Sequence, residues 1–397
     1  MSTQLPDSMT AESATGRLLS LDVFRGMTIA GMILVNNPGT WEAIYPPLEH
    51  AEWHGWTPTD FIFPFFVFIV GVSITLALGK RVETARATHG TITSNVYWKI
   101  LRRAALIFFL GLFLAAFPFY NPSDGTLIDL STLRIPGVLQ RIAVCYLIVS
   151  FIFLKTNWKT QALIGVILLF VYWALMTLVP VPGCEITTFD DKACNLAAWV
   201  DRSVFTVNHI WRQAKVYDPE GILSTIPAVV TALCGVLTGH WLRTNRSDIE
   251  KAAGLFFAGV SAVAGGYIWN GWFPINKALW TSSYVMFMAG LALCLLGFCY
   301  WLVDIKGYRR WAQPFVVFGV NALALYFFSG IFERLIEAIR WTTASGETTT
   351  LQDWIFESVF LPLASPVNAS LCYAICYVLF WLAMMWLLYR KGIFIKV

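Results

Sequence analysis

PTDFIFPFFVFIVGVSITLALG, residues 58–79, decides the fold. Asp60 is its one ionisable residue, and nothing charged follows until Lys80. A helix needs ~20 mostly apolar residues to cross a bilayer, and this stretch supplies them. Working outward gives about ten such windows: residues 18–37, 58–79, 100–119, 136–154, 160–180, 222–242, 251–270, 280–303, 312–336 and 368–389. The composition agrees. Of 397 residues, 57% are hydrophobic, 16% aromatic and 13% charged, whereas a soluble domain carries about 25% charged residues. This excludes a soluble enzyme, a nucleic-acid binder and a disordered scaffold. The net charge of +4 is small.

The reading is an all-α polytopic membrane protein of about ten spans, with residues 17–397 as one domain and residues 1–16 a polar, disordered cytoplasmic leader. Lys and Arg gather in alternate short loops, for example Lys80, Arg81, Arg86, Lys99, Arg102, Arg103, Lys155 and Lys159. Positive loops stay inside, which puts both termini in the cytoplasm. The long loops 181–221 and 337–366 then lie outside. Six of the eight cysteines fall in apolar windows, where they serve as small hydrophobes. Cys184 and Cys194 share an external loop, and the sequence leaves open whether they pair.

Ionisable residues within spans are expensive and mark sites. Asp22 and Arg25 in SLDVFRG (20–26) lie three apart on one helix face. They read as a self-neutralising interfacial pair or as a charged floor for an anionic ligand. The same window ends in NNPG (36–39), where Asn36 either caps the helix or donates into a site. The densest polar cluster is HAEWHGWTPTD (50–60), with two of the five histidines. Histidine is suited to proton transfer near neutral pH. Asp60 either caps the next helix or orients an imidazole, and the competing reading of the cluster is an interfacial aromatic belt. Gly55 and Pro58 break the helix that a metal pair of His50 and His54 would need, and no metal is expected.

RIPGVLQR (134–141) places Arg134, Gln140 and Arg141 at an outer edge, against the positive-inside trend. They either anchor the membrane edge or hold an anion. In YDPEGILSTIP (217–227) the carboxylates Asp218 and Glu220 enter an apolar span, as helix caps or as ligand groups. PINKALWTSSY (274–284) adds Asn276 and one external cation, Lys277. Asn321, inside an apolar window, is expected to bond helix to helix. His89 and His240 receive no role.

These strings, together with LYRKGIFIK (388–396), resemble the family of heparan-alpha-glucosaminide N-acetyltransferase and its bacterial relatives. The resemblance covers nearly all of residues 17–397. It implies a transmembrane acetyltransferase that moves an acetyl group from cytosolic acetyl-CoA to an amino sugar or glycan on the outer, periplasmic side. It implies His50 as the catalytic histidine, with Asn36 at the position of the family's asparagine. His54 stands where the lysosomal member has asparagine, so no catalytic role passes to it. On chemical grounds His50 is the base or acetyl carrier, Asn36 an oxyanion donor, and Asp60 the orienting carboxylate. Asp22, Arg25, Arg103, Arg134, Gln140 and Arg141 are assigned to acetyl-CoA. Asp218, Glu220, Asn276 and Lys277 are assigned to the acceptor. The expected partners are acetyl-CoA, an amino sugar such as glucosamine or an envelope glycan, the bilayer of a bacterial inner membrane, and a second copy in a homodimer. The alternative is a secondary transporter of amino sugars such as N-acetylglucosamine, a class marked by internal repeats that are not visible here.

Overall fold

The structure, a computed structural model, describes residues 18–395 except 89, 123, 124, 344 and 345. Residues 1–16 and His89 lie outside the described residues. The chain is a bundle of helices: α1 (Leu19–Asn36), α2 (Ile62–Ala87), α3 (Ser94–Ala116), α4 (Val138–Lys155), α5 (Trp158–Leu178), the short α6 (Leu196–Phe205), α7 (Thr225–Leu242), α8 (Asp248–Trp269), α9 (Ser282–Cys299), α10 (Gln313–Val320), α11 (Ala322–Ala338), the one-turn α12 (Leu351–Ile355) and α13 (Pro366–Arg390). A two-stranded hairpin, β1 (Arg340–Thr342) and β2 (Thr348–Thr350), follows α11.

Among the described residues, eight helices are long and apolar enough to span a bilayer, or nine if α10 and α11 count as one bent span. The remaining window, 100–119, belongs to α3, which carries Lys99, Arg102 and Arg103 in its first half. Tyr97 of α3 packs on Phe151, and Arg103 lies over Tyr146, so the start of α3 meets the far half of α4. The two run antiparallel, and α3 carries the chain back across the bundle.

Burial separates inner from outer helices. α1, α2, α4 and α7 are mostly buried, whereas α5, α8 and α13 turn most of their apolar surface outward. Lipid tails are as apolar as leucine, so close backbone packing, rather than the hydrophobic effect, holds such helices together. Glycines provide it in reciprocal pairs. A Cβ on Gly71 of α2 would lie 1.9 Å from the Ala232 carbonyl oxygen of α7, and one on Gly235 of α7 would lie 2.0 Å from that of Phe68. Gly26 and Gly319 make the same contact between α1 and α10, at 1.7 Å from the Phe315 oxygen and 2.0 Å from the Asp22 oxygen. Any side chain at these positions forces the helices apart. The α2–α7 clamp fixes the two segments that carry Asp60 and Asp218.

Asn321 corrects one expectation. It sits at an 81° break between α10 and α11 rather than between two straight helices. Its amide donates to the Ile393 carbonyl at 3.1 Å, and its oxygen accepts from the Ile395 N–H at 2.9 Å. The backbone of the C-terminal tail thus satisfies both ends of the Asn321 amide at the bend.

Candidate active site

Residues 37–61 have little regular structure, and hydrogen bonds replace it. Thr57 and Asp60 form a capping box on the turn Pro58–Phe61 that leads into α2. Asp60 Oδ2 accepts from the N–H of Thr57 at 2.9 Å and of Ala51 at 3.2 Å. Asp60 Oδ1 takes His50 Nδ1 at 2.7 Å. The two readings of Asp60, cap and imidazole partner, are therefore both realised, one on each oxygen. A carboxylate only accepts, so the His50 proton resides on Nδ1 and the lone pair on Nε2. Asp60 is fully buried, while the His50 side chain is 51% exposed. Behind them, the Tyr284 hydroxyl donates to the Asp60 carbonyl at 2.7 Å.

Lys277 completes the group from 227 residues away in sequence. Its Nζ stands 2.9 Å from His50 Nδ1, 3.0 Å from Nε2 and 3.4 Å from Asp60 Oδ1. The nearly equal distances to the two ring nitrogens place Nζ over the ring, and with Nδ1 given to Asp60 the Nε2 lone pair stays open. Burial pushes the Lys277 ammonium pKa down, against the opposing pull of the Asp60 and Glu220 carboxylates. The loop that presents Lys277 is rigid. Asn276 is wholly buried, and its Oδ1 accepts from the Leu279 N–H at 2.9 Å. The Tyr172 hydroxyl holds the Leu279 carbonyl at 2.5 Å. Gly55 N–H donates to the Ile275 carbonyl at 2.8 Å, which joins this loop to the His50 loop.

The two histidines turn to different partners. His54 Nε2 meets Asp190 at 2.8 Å, and its Nδ1 faces the Asn276 amide at 3.3 Å. Asp190 lies between Cys184 and Cys194, which form a disulfide. Trp53 Nε1 donates to the Phe189 carbonyl in the same small loop, and its ring meets Tyr217 edge-on at 5.1 Å. The question that the sequence left open about this cysteine pair is settled by the bond, and its loop braces the site.

On the next side, Arg134 grips Asp218 with two parallel bonds, Nε to Oδ2 at 2.8 Å and Nη2 to Oδ1 at 2.6 Å, and meets Glu220 at 2.5 Å. This fork–fork pairing uses the geometry of a guanidinium fully. Arg134 was assigned to the donor and Asp218 and Glu220 to the acceptor, but the structure joins all three to one another. Arg141 is 2% exposed and donates through Nη2 to the Gly221 carbonyl at 3.1 Å and to the Ser224 hydroxyl. Its Nε and Nη1 have no partner among the described residues, and its guanidinium lies 5.1 Å from the Trp280 ring centre. Gln140 is buried beside it and fills the space over Gly111 and Gly137.

Asp201 was not foreseen. It is 1% exposed on α6 and accepts from the N–H groups of Ile222 at 2.9 Å and Asp218 at 3.4 Å. Burial, with the neighbouring Asp218 charge, pushes its carboxyl up to about 7. The signal was present, since Asp201 follows Ala197 and Ala198 at helical spacing and so shares their buried face.

The remaining candidates stand apart. Asn36 is the exposed last residue of α1, whereas Asn37 is buried and donates to the Ile33 carbonyl at 2.8 Å. No hydrogen bond or ion pair among the described residues joins Asn36 to His50, Asp60 or Lys277. Asp22 and Arg25 pair at 3.0 Å in the opposite half of the bundle, where Arg25 also donates to the Ser73 hydroxyl at 2.9 Å and the Gly319 carbonyl at 3.4 Å. Arg103 is exposed beyond them, on the same side.

Fold and site together define a class: an integral membrane protein of packed helices with a histidine–carboxylate–lysine group at one end. Comparison with known proteins gives the family. Residues 17–267 match the family described as heparan-alpha-glucosaminide N-acetyltransferase, catalytic. The chain belongs to this acyltransferase family. It is 29% identical to the human heparan-alpha-glucosaminide N-acetyltransferase over 96% of this chain and 60% of that protein. It is 30% identical to the mouse protein of the same name, over 85% and 57% respectively. It therefore spans less than two thirds of either relative's length.

Proposed function

We propose that this protein transfers an acetyl group from cytosolic acetyl-CoA to the amine of an amino sugar or glycan at the outer face of a bacterial inner membrane. The observation that carries this is the His50–Asp60–Lys277 group. An imidazole is held in one tautomer by a buried carboxylate, and its free Nε2 faces outward. That arrangement suits removal of a proton from an attacking amine, or brief carriage of the acetyl group. Asp60 orients the ring and stabilises its protonated form. Asn36, at the end of α1, is assigned to the developing oxyanion. The two unpartnered nitrogens of Arg141, beside Gln140, suit a carbonyl or anionic part of the donor. Arg103 is the exposed cation at the opposite end for its phosphates. Glu220 and Asp218 form the acidic wall for a cationic acceptor amine, beside Asn276 and Lys277.

The broken span at Asn321 supports a second reading, a carrier of amino sugars, because carriers build sites at interrupted helices. One experiment separates the two. Purified protein in detergent is given radiolabelled acetyl-CoA and glucosamine, wild type beside His50→Ala. Labelled acetylglucosamine from the wild type alone supports transfer at His50. Absence of product, with labelled sugar accumulating in proteoliposomes, replaces the enzyme with the carrier.

A further inference from the structure

The amine of Lys277 stands over the His50 ring, close to any group that Nε2 receives. Its Nζ is 3.0 Å from His50 Nε2, the ring atom left free by Asp60. Reacting atoms in near-attack geometry are about 3–3.5 Å apart, so an acetyl carbon brought to Nε2 comes within reach of Nζ. The rigid loop around Asn276 holds the lysine in place. The side chain is 20% exposed, so little water competes at the nitrogen. Burial also favours the neutral amine, the form that attacks.

We infer that Lys277 is an internal acetyl acceptor, modified at Nζ when donor is bound and the external amine is absent. This rests on the acetyl-CoA reading above. The step is an ordinary aminolysis. The ammonium first loses a proton through His50 to solvent. The Nζ lone pair then forms a C–N bond to the acetyl carbon, and the thioester C–S bond breaks. The second proton leaving nitrogen goes to the CoA thiolate. The products are Nζ-acetyl-lysine, free CoA thiol and one proton. Acetylation removes the cation that stands beside His50 and Asp60, so the modified protein is a stalled form. A saturating external amine protects the lysine because both compete for the same acetyl group.

The test uses full-length protein in detergent with labelled acetyl-CoA, followed by digestion and mass spectrometry of the peptide containing residue 277. The expected result is one acetyl group on Lys277, gained much faster than on exposed Lys215. Saturating glucosamine should suppress it, and His50→Ala should lower it by about 10²-fold or more. The glucosamine arm uses wild-type protein, so it stands even if the variant does not fold. Labelling of Lys277 no faster than Lys215, or undiminished by both glucosamine and His50→Ala, would be plain chemical acetylation and would overturn the inference. Acetylglucosamine forming when glucosamine is present, with Lys277 unlabelled even when glucosamine is left out, also overturns it and leaves the proposed function intact. If neither glucosamine nor Lys277 is labelled, the proposed function itself fails, and the inference with it.

Discussion

Two charged groups, one in each half of the bundle, use similar residues for different ends. At one, Arg25 pairs with Asp22 inside α1 and spends further donors on Ser73 and the Gly319 carbonyl. Three helices are tied together there, beside the Gly26–Gly319 contact and close to the break at Asn321. At the other, Asp60 is just as buried, but it holds a histidine that is half in solvent. The residues of that group come from loops, not from helix interiors. A charge whose partners are all protein groups glues helices. A charge that positions an unsaturated base prepares chemistry. Location on a rigidly supported loop, more than the presence of charge, distinguishes the two.

The widest separation between the groups should appear in a pair of alanine variants. His50→Ala should lower acetyl transfer by about 10²–10⁴-fold, the range of a lost general base, with the melting temperature little changed. Arg25→Ala should do the reverse, lowering the melting temperature while turnover per folded molecule is kept. A rise in KM for acetyl-CoA in Arg25→Ala would break the contrast and return Arg25 to the donor site. Asp60→Asn comes next. It keeps the shape but turns an acceptor toward a donor, so the His50 tautomer is no longer enforced. Turnover should fall by about 10²-fold or more, and the capping box of α2 should weaken. Unchanged turnover would reduce Asp60 to a helix cap.

A fourth variant probes the acidic wall that Arg134 grips. Arg134→Ala leaves buried Asp218 and Glu220 without their cation, and breaking such a pair costs roughly 3–5 kcal/mol. The expected result is a large drop in thermal stability, partly restored by Asp218→Asn in the same chain. Equal stability of wild type and Arg134→Ala would mean that the carboxylates are satisfied in some other way.

Much of this is legible in the sequence. Span periodicity and length located the helices, because a bilayer accepts few alternatives. The 50–60 cluster stands out as polar residues at the mouth of an apolar run, and both roles of Asp60, cap and imidazole partner, follow from its place at the start of a helix beside the histidines. Other features depended on tertiary contact. Lys277 reads as an external cation assigned to the acceptor and not as a partner of His50, since nothing local announces a contact 227 residues away. Arg134 and Asp218 were read separately for the same reason. The bend at Asn321 lacks a proline, and its asparagine looked like a bond between straight helices, because the tail that meets it is far off in the chain. Asp201 is legible from its helical face, yet it lies in a stretch read only as an external loop.

Asp201 gives the smallest but most diagnostic effect. Its carboxyl is pushed up to about 7, against about 4 in an unfolded chain. Between those values the folded protein binds a proton that the unfolded chain has lost. Stability from this group therefore falls as pH rises from about 4 to 7, by at most about 1.4 kcal/mol per pH unit, and levels off above. Asp201→Asn removes the titration and keeps an oxygen for the Ile222 N–H. Relative to wild type, the variant should lose stability at pH 5 and gain at pH 8, read as a melting-temperature difference that grows with pH. The cause is local: once ionised, Asp201 repels Asp218 across the backbone N–H groups that it holds, and loosens the segment that Arg134 grips. A melting-temperature difference independent of pH would show that Asp201 is ionised throughout. The acidic wall beside Lys277 would then be fixed by Arg134 alone.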